Sequence, residues 1–543
     1  MKKLFLTHNA AFCLFLFFAS FYFLTNAGGY KEGDESVMSA LARQIAYHGK
    51  IGFEKTQYPP EEDPCTKGTD GLYHPKWGLG QSLVQVPFYF AHRLLWTIIP
   101  YDREDPRDST ASRFSEMLLV FSCPSGISAL GCLLLFFLGL RLGFSRRASL
   151  LLTFVYALGT MVWPYSKSLM SGATLNTAIL GGVYGVISYR FDHKRKWLLL
   201  SSACMGFALI TKVVSFGLLV PLLAYLFFSP NRRKRVGTIL VCFVLPYALF
   251  AAFQLWYNML RYGDLFTFGY DRQWDALGFS TPFYVGLWGL FLSPGKSFFL
   301  YTPAAILGLV CLRPFLKEKK AECLLFLGVA GFFTIPHSLW VQWAGDWAWG
   351  PRFLVPVVPY FILPIGYCFK NWYGLTRPQR GFAVALVAVS LFVQILGVAI
   401  HPFSFIEIRW DIVSRFLKES PKYSYADTYG ENAFVNFSPM FSHIVGNWWL
   451  FKHMILDYDL RKDAPWKTLG DFEVDSPKWV KGNRTIPFWW PISFSMASPR
   501  VEKWVIGLAL ANAMTVLLVG LRLRRELSPS GSGIEGDEKE GTE

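Results

Sequence analysis

From Leu119 to Leu140 the chain reads LVFSCPSGISALGCLLLFFLGL, with no charged side chain over about twenty residues, the length an α-helix needs to cross a bilayer. Comparable runs lie near 4–26, 113–140, 148–164, 173–190, 197–211, 214–228, 237–257, 298–312, 322–340, 353–369, 381–400 and 501–520. In hydrocarbon each backbone polar group must find its partner within the segment, so these runs predict helices and an all-α polytopic membrane protein. A composition 52% hydrophobic and 17% charged fits, since it carries more apolar surface than one water-soluble core would hide.

The formal charge of +15 does not point to nucleic acid, because the basic residues fall in short clusters between apolar runs. Those clusters are Lys2/Lys3, Arg141/Arg146/Arg147, Arg190/Lys194/Arg195/Lys196, Arg232/Arg233/Lys234/Arg235, Arg313/Lys317/Lys319/Lys320, Lys370/Arg377/Arg380 and Arg522/Arg524/Arg525. With the spans above they all fall on one face, which the positive-inside rule makes cytoplasmic along with both termini. The first run has the length of a retained span and no clear small-x-small cleavage site, so it reads as an anchor and not as a cleaved signal.

The opposite, extracytoplasmic face receives a large first loop at 27–112 and a segment at 401–500 rich in Trp, Tyr, Pro and Asp without a clear period. A last span at 501–522 and an acidic tail at 523–543, expected to be disordered, complete the division after a membrane domain at 1–400. Most of the nine cysteines sit inside apolar runs and give neither a disulfide framework nor a metal spacing. No internal repeat of the inverted-transporter kind is visible.

Within the first loop, GDESVMSALARQIAYHG places apolar residues at helical spacing from Val37 to Ile45. It predicts a short amphipathic helix along the outer leaflet, with Asp34 as its N-cap and Glu35 favoured in the first turn by the helix dipole. The following GLYHPKWGLGQSLVQVPFYFAHRLLW predicts an apolar helix from about Trp77 to Trp96. Counting it as a span would reverse every later basic cluster, so it is placed as a re-entrant or interfacial element.

The order of these features resembles the GT-C superfamily of integral membrane glycosyltransferases, which use polyprenyl-phosphate sugars. The resemblance runs through the Asp34-Glu35 loop, the His74-Pro75 element before a second helix, WPYSKSLMSGATLNTAILGGVY, GFALITKVVSFGLLVPLLAYLF, WYNMLRYGDLFTFGY, GLFLSPGKSFFLYTPAAILGL and WAGDWAWGPRFLVPVVPYFILP. It covers roughly residues 1–400 and is closest to the bacterial phospholipid-carrier-dependent glycosyltransferases, relatives of the protein O-mannosyltransferases and aminoarabinose transferases. It implies a GT-C-like bundle of about twelve helices in a bacterial inner membrane. The implied partners are a polyprenyl-phosphate sugar donor, a glycolipid, polysaccharide or protein acceptor, and membrane lipids. It further implies Asp34 as the base that takes the acceptor proton, Glu35 as a residue that orients the acceptor or helps bind a metal, and inversion at the anomeric carbon. A divalent metal is left open, and the resemblance fixes no ligand set for it. Relatives often show an acid in the turn where this chain has Leu169-Met170-Ser171-Gly172, a role that here is unfilled or is met by Asp271, Asp275 or Asp346.

A lipid-phosphate donor presents its anion at the outer leaflet, where the positive-inside bias leaves few cations. Outer-face cations are therefore informative: Lys76, Lys167, Lys212, Arg261, Lys296 and Arg352. His74, Lys76, Lys212, Lys296, Trp349 and Arg352 are the expected substrate-binding residues. Lys296 follows a Pro-Gly break whose amides could join its ammonium on a phosphate, while a snorkelling lysine explains it equally. Arg352 offers a bidentate fork beside Trp349, and the alternative is a structural arginine in an aromatic belt. Two other function classes stay open. One is a lipid-linked glycan flippase or other secondary transporter, which would place ionisable groups nearer the bilayer midplane. The other is a non-catalytic binding protein on the same fold.

Overall fold

The computed structural model describes residues 2–26, 33–56, 64–98, 106–228, 235–270, 277–345, 348–400, 402–419, 435–456, 465, 490 and 499–527. Among them, six helices are long and apolar enough to cross a membrane: Ala111–Arg141, Val236–Tyr262, Lys320–Leu339, Arg352–Lys370, Arg377–Ala399 and Glu502–Arg525. Shorter apolar helices at Asn9–Leu24, Val213–Phe227 and Phe283–Leu292 accompany them. With no sheet beyond one two-stranded hairpin among the described residues, the chain is an all-α, multi-pass integral membrane protein.

Close approach of backbones holds the bundle together. The helix Gly172–Asp192 lies against Arg195–Thr211, where a Cβ at Gly185 would stand 2.7 Å from the Trp197 carbonyl oxygen and from Ser201 Cβ. Ser201 Oγ donates to the Gly182 carbonyl at 2.7 Å across the same seam, the pairing of small residues and a hydroxyl that apolar surroundings favour. The Gly172–Asp192 helix, at 1.5 Å per residue over its 21 residues, is about 31 Å long, one hydrocarbon thickness. At its Asp192 end the basic loops meet in two ion pairs, Arg141 with Asp192 at 2.6 Å and Lys370 with Glu318 at 3.1 Å, and in a hydrogen bond from Arg235 to His193 at 3.0 Å. Its Gly172 end faces the first loop.

Three sequence expectations change. Asp34 does not cap its helix: α2 (Asp34–His48) begins at Asp34 itself, and the preceding Gly33, at φ 67°, occupies the cap position without a side-chain bond. The interval 258–297, which holds none of the apolar runs of spanning length, contains the apolar helix Phe283–Leu292, too short for a twenty-residue window to register. It packs on Lys320–Leu339, with Gly286 against the Ser338 carbonyl. The segment 401–500, read as aperiodic, folds in its described parts into helices Pro402–Glu419 and His443–Leu456 around Phe405, Ile408, Ile412 and Trp449. The tail 528–543 lies outside the described residues.

Candidate functional site

The first loop is set against the bundle by a small hairpin. Strands β1 (Cys65–Lys67) and β2 (Tyr73–Pro75) pair antiparallel, with Thr66 opposite His74. His74 is fully buried, its Nε2 lies 2.9 Å from Asp70 Oδ1, and its ring meets Tyr257 edge-on at 6.2 Å. Burial alone would raise the Asp70 carboxyl, but hydrogen bonds from His74 and the Leu72 amide outweigh it and hold the carboxyl below its ordinary value. His74 thus braces the hairpin's own core. Arg261, also buried, donates from Nη1 to the carbonyls of Pro75, Lys76 and Trp77 at 3.1, 3.0 and 3.2 Å. The chain then enters α3 (Gly80–Ile98), where Gly78 and Gly80 sit directly on Ile210 and Thr211 with no room for a Cβ. This contact brings the hairpin against the turn that carries Lys212.

α2, α3 and the turn before Gly172 are then stitched together by side chains. Gln81 Nε2 donates to the Leu169 carbonyl at 2.6 Å, and Ser82 Oγ to the Met38 carbonyl at 2.8 Å. Glu35, fully buried, accepts a hydrogen bond from Ser168 Oγ. The two adjacent carboxylates therefore part company: Glu35 is buried against Ser168, and Asp34 keeps 35% of its side chain exposed.

Opposite Asp34 stands Arg352. Its Nη1 lies 3.5 Å from Asp34 Oδ2 and 3.6 Å from Met170 Sδ, while its Nε is buried without a partner. Phe353 organises the neighbouring cations. The Lys212 ammonium sits 4.0 Å from its ring centroid and the Arg352 guanidinium 5.2 Å, and the His337 imidazole stacks on it at 4.8 Å and 28°. Lys296, 1% exposed, donates from Nζ to the Gly345 carbonyl at 3.3 Å. Gly345 adopts φ 56° and packs against Arg352, so a Cβ there would come within 2.8 Å of Arg352 Cγ. Asp34, Arg352, Lys212 and Lys296 thus converge on one locus at the Gly172 end of the bundle.

The described part of 402–456 reaches the same locus from the other side. Gly295, next to Lys296, donates its amide to the Asn436 carbonyl at 3.1 Å, and the His443 amide donates to Tyr301 Oη at 3.1 Å. Burial, with Arg409 and Lys296 nearby, pushes the His443 imidazole well below its ordinary pKa and keeps it uncharged. Trp349 is buried edge-on against Tyr301 at 5.0 Å, and its carbonyl accepts from Tyr165 Oη at 2.9 Å, which makes it part of the wall. Lys76 points elsewhere, its ammonium 5.7 Å from the Trp77 ring and 6.0 Å from Tyr270.

Sequence reasoning missed Ser168, His337 and Phe353, none of which stands in a spacing that marks it. Met170 occupies the turn where an acid was looked for, and it presents a thioether to Arg352 instead. Asp271, Asp275 and Asp346 lie outside the described residues. Among the described residues no three His, Cys, Asp or Glu side chains gather to ligate a metal, and the divergence of Asp34 from Glu35 removes the nearest candidate pair.

No family model and no curated protein matches the chain. Among solved structures it is similar to ArnT from Cupriavidus metallidurans bound to undecaprenyl phosphate, at 14% identity and a TM-score of 0.44, over 82% of this chain and 77% of that one. It is also similar to the archaeal oligosaccharyltransferase AglB from Archaeoglobus fulgidus, in complex with an inhibitory peptide and a dolichol-phosphate. That likeness has 10% identity and a TM-score of 0.46, over 78% of this chain but 59% of the AglB chain, less than two thirds of its length. Likeness of this degree says nothing of substrate or chemistry.

Proposed function

We propose that the chain is a membrane glycosyltransferase that moves a sugar from a polyprenyl-phosphate donor to an extracytoplasmic acceptor, namely a glycolipid, polysaccharide or protein. The observation that carries this reading is the meeting of one solvent-accessible carboxylate, Asp34, with an arginine whose Nε is buried and unpaired, flanked by Lys212 and Lys296. Glycosyl transfer from a lipid phosphate asks for this pairing of functions: a base for the acceptor hydroxyl and fixed cations for the departing phosphate.

In the reaction the acceptor oxygen attacks the anomeric carbon while Asp34 takes its proton. The bond from that carbon to the phosphate oxygen breaks, and the electron pair leaves with the lipid phosphate, whose added charge falls to Arg352, Lys212 and Lys296. A single displacement inverts the anomeric configuration. Glu35 contributes by holding the start of α2 against Ser168, which fixes where Asp34 projects. The basic loops at the Asp192 end fit a cytoplasmic face of a bacterial inner membrane, which puts both termini inside and the site outside.

The test compares lipid-linked and surface glycans of cells with and without the protein. Loss of one surface sugar, with build-up of its polyprenyl-phosphate precursor, is expected, and transfer should stop in Asp34→Asn. Unchanged glycans in the deletion strain would rule the reading out.

A further inference from the structure

We propose that Asp34 and the donor phosphate compete for Arg352, so that the arriving donor releases the base from its ion pair. This rests on the reading above, in which Asp34 is the base and Arg352 a phosphate ligand. Three observations lead to it. Among the described residues, Arg352 supplies the one ion pair of Asp34, and it does so through Nη1 alone at 3.5 Å. The same Nη1 has the Met170 thioether at 3.6 Å, a weak acceptor that offers no competing charge. The Nε of the guanidinium is buried without a partner, so the fork is only partly used.

A guanidinium binds phosphate best through two parallel N–H bonds, and a single long contact to a carboxylate is a poor substitute. A donor phosphate carried into the locus beside Lys212 therefore offers Arg352 a better geometry than Asp34 does. As the guanidinium turns to the phosphate, Asp34 loses its counter-ion. Its carboxylate oxygens are then free of the guanidinium and open to the acceptor hydroxyl. The exchange breaks no covalent bond and needs no co-reactant. It also fixes an order of events in which the donor binds before the acceptor is activated, so the base is not exposed to water beside an unoccupied phosphate site.

The competition is read by titrating the purified full-length protein in detergent with farnesyl phosphate, a short polyprenyl phosphate, following tryptophan fluorescence. Removing the internal competitor with Asp34→Asn should tighten binding about fivefold, the factor by which a partly exposed ion pair shifts such an equilibrium. Asp34→Glu, which keeps the charge, should bind within about twofold of the wild type, a margin well inside that one ion pair. In an Arg352→Ala background, already weakened, Asp34→Asn should bring no further gain. An equal gain in both backgrounds would mean plain charge repulsion and would overturn the competition, as would no gain in the wild-type background. If Arg352→Ala binds farnesyl phosphate as tightly as the wild type, the phosphate role itself fails, which separates the failure of the underlying reading from that of this inference. Retention of the wild-type elution volume and helical circular dichroism identifies folded variants, and Arg352→Lys replaces Arg352→Ala if the latter does not fold.

Discussion

Two arginine–aspartate pairs stand near opposite ends of one helix, Gly172–Asp192, and they differ in kind. At one end Arg141 grips Asp192 with both Nη atoms, at 2.8 and 2.6 Å, and Trp197 Nε1 adds a third bond at 3.0 Å. At the other, Arg352 touches Asp34 once, at 3.5 Å. Exposure does not separate them, since the side chains are 28% and 25% exposed in the first pair and 23% and 35% in the second. Geometry does. A closed fork commits both of its Nη atoms to one carboxylate, while an open one keeps directional donors in reserve. The same two residue types therefore serve as a fastening at the basic end and, on the proposed function, as a reactive pair at the other.

The contrast yields predictions of decreasing size. Asp34→Asn should lower the transfer rate about a thousandfold, within the range that loss of a general base produces, with the protein still folded. Labelled donor in proteoliposomes measures this, and a rate within tenfold of wild type would deprive the open pair of its chemical meaning. Arg352→Ala should lower transfer about a hundredfold, with Arg352→Lys intermediate because an ammonium restores charge without the fork. Lys296→Met keeps the side-chain length without the charge. It should cost about tenfold in rate at saturating donor, the loss of one of several cations stabilising the leaving phosphate. At the other end, Arg141→Ala should leave transfer unchanged within about twofold and lower stability by about 1 kcal/mol, the scale of a partly exposed ion pair, seen in thermal unfolding. If Arg141→Ala impaired transfer as much as Arg352→Ala, the distinction between the two ends would collapse.

The apolar runs located the long helices because twenty-residue hydrophobicity is a property of each segment by itself. Phe283–Leu292 escaped the same window because it has 10 residues and leans on its neighbour Lys320–Leu339. Pro402–Glu419 escaped because its buried stripe of Phe405, Ile408 and Ile412 is embedded in a polar, aromatic-rich stretch that averages to no pattern. For the site, residue types on the expected outer face singled out Asp34, Lys212, Lys296 and Arg352, which the fold brings to one locus. What spacing could not convey was direction. Asp34 and Glu35 are neighbours in sequence, yet successive helix positions point about 100° apart, so one meets Arg352 and the other Ser168. His74 has the look of a binding residue, and only its enclosure by Asp70 and Tyr257 makes it a brace. Ser168, His337 and Phe353 owe their places to tertiary packing alone.

The contact between Asp34 and Arg352 joins residues 318 positions apart. At 5–20 residues per second, synthesis leaves roughly 16 to 64 seconds between the emergence of the first member and the second. Throughout that interval the nascent chain carries Asp34 without the cation that the later helix supplies. Loop closure over such a separation is among the last contacts a chain completes. On the proposed function the pair is thus a maturation mark: a chain truncated before Arg352 would retain the proposed base yet be inert, and activity would report that most of the membrane domain has finished assembling.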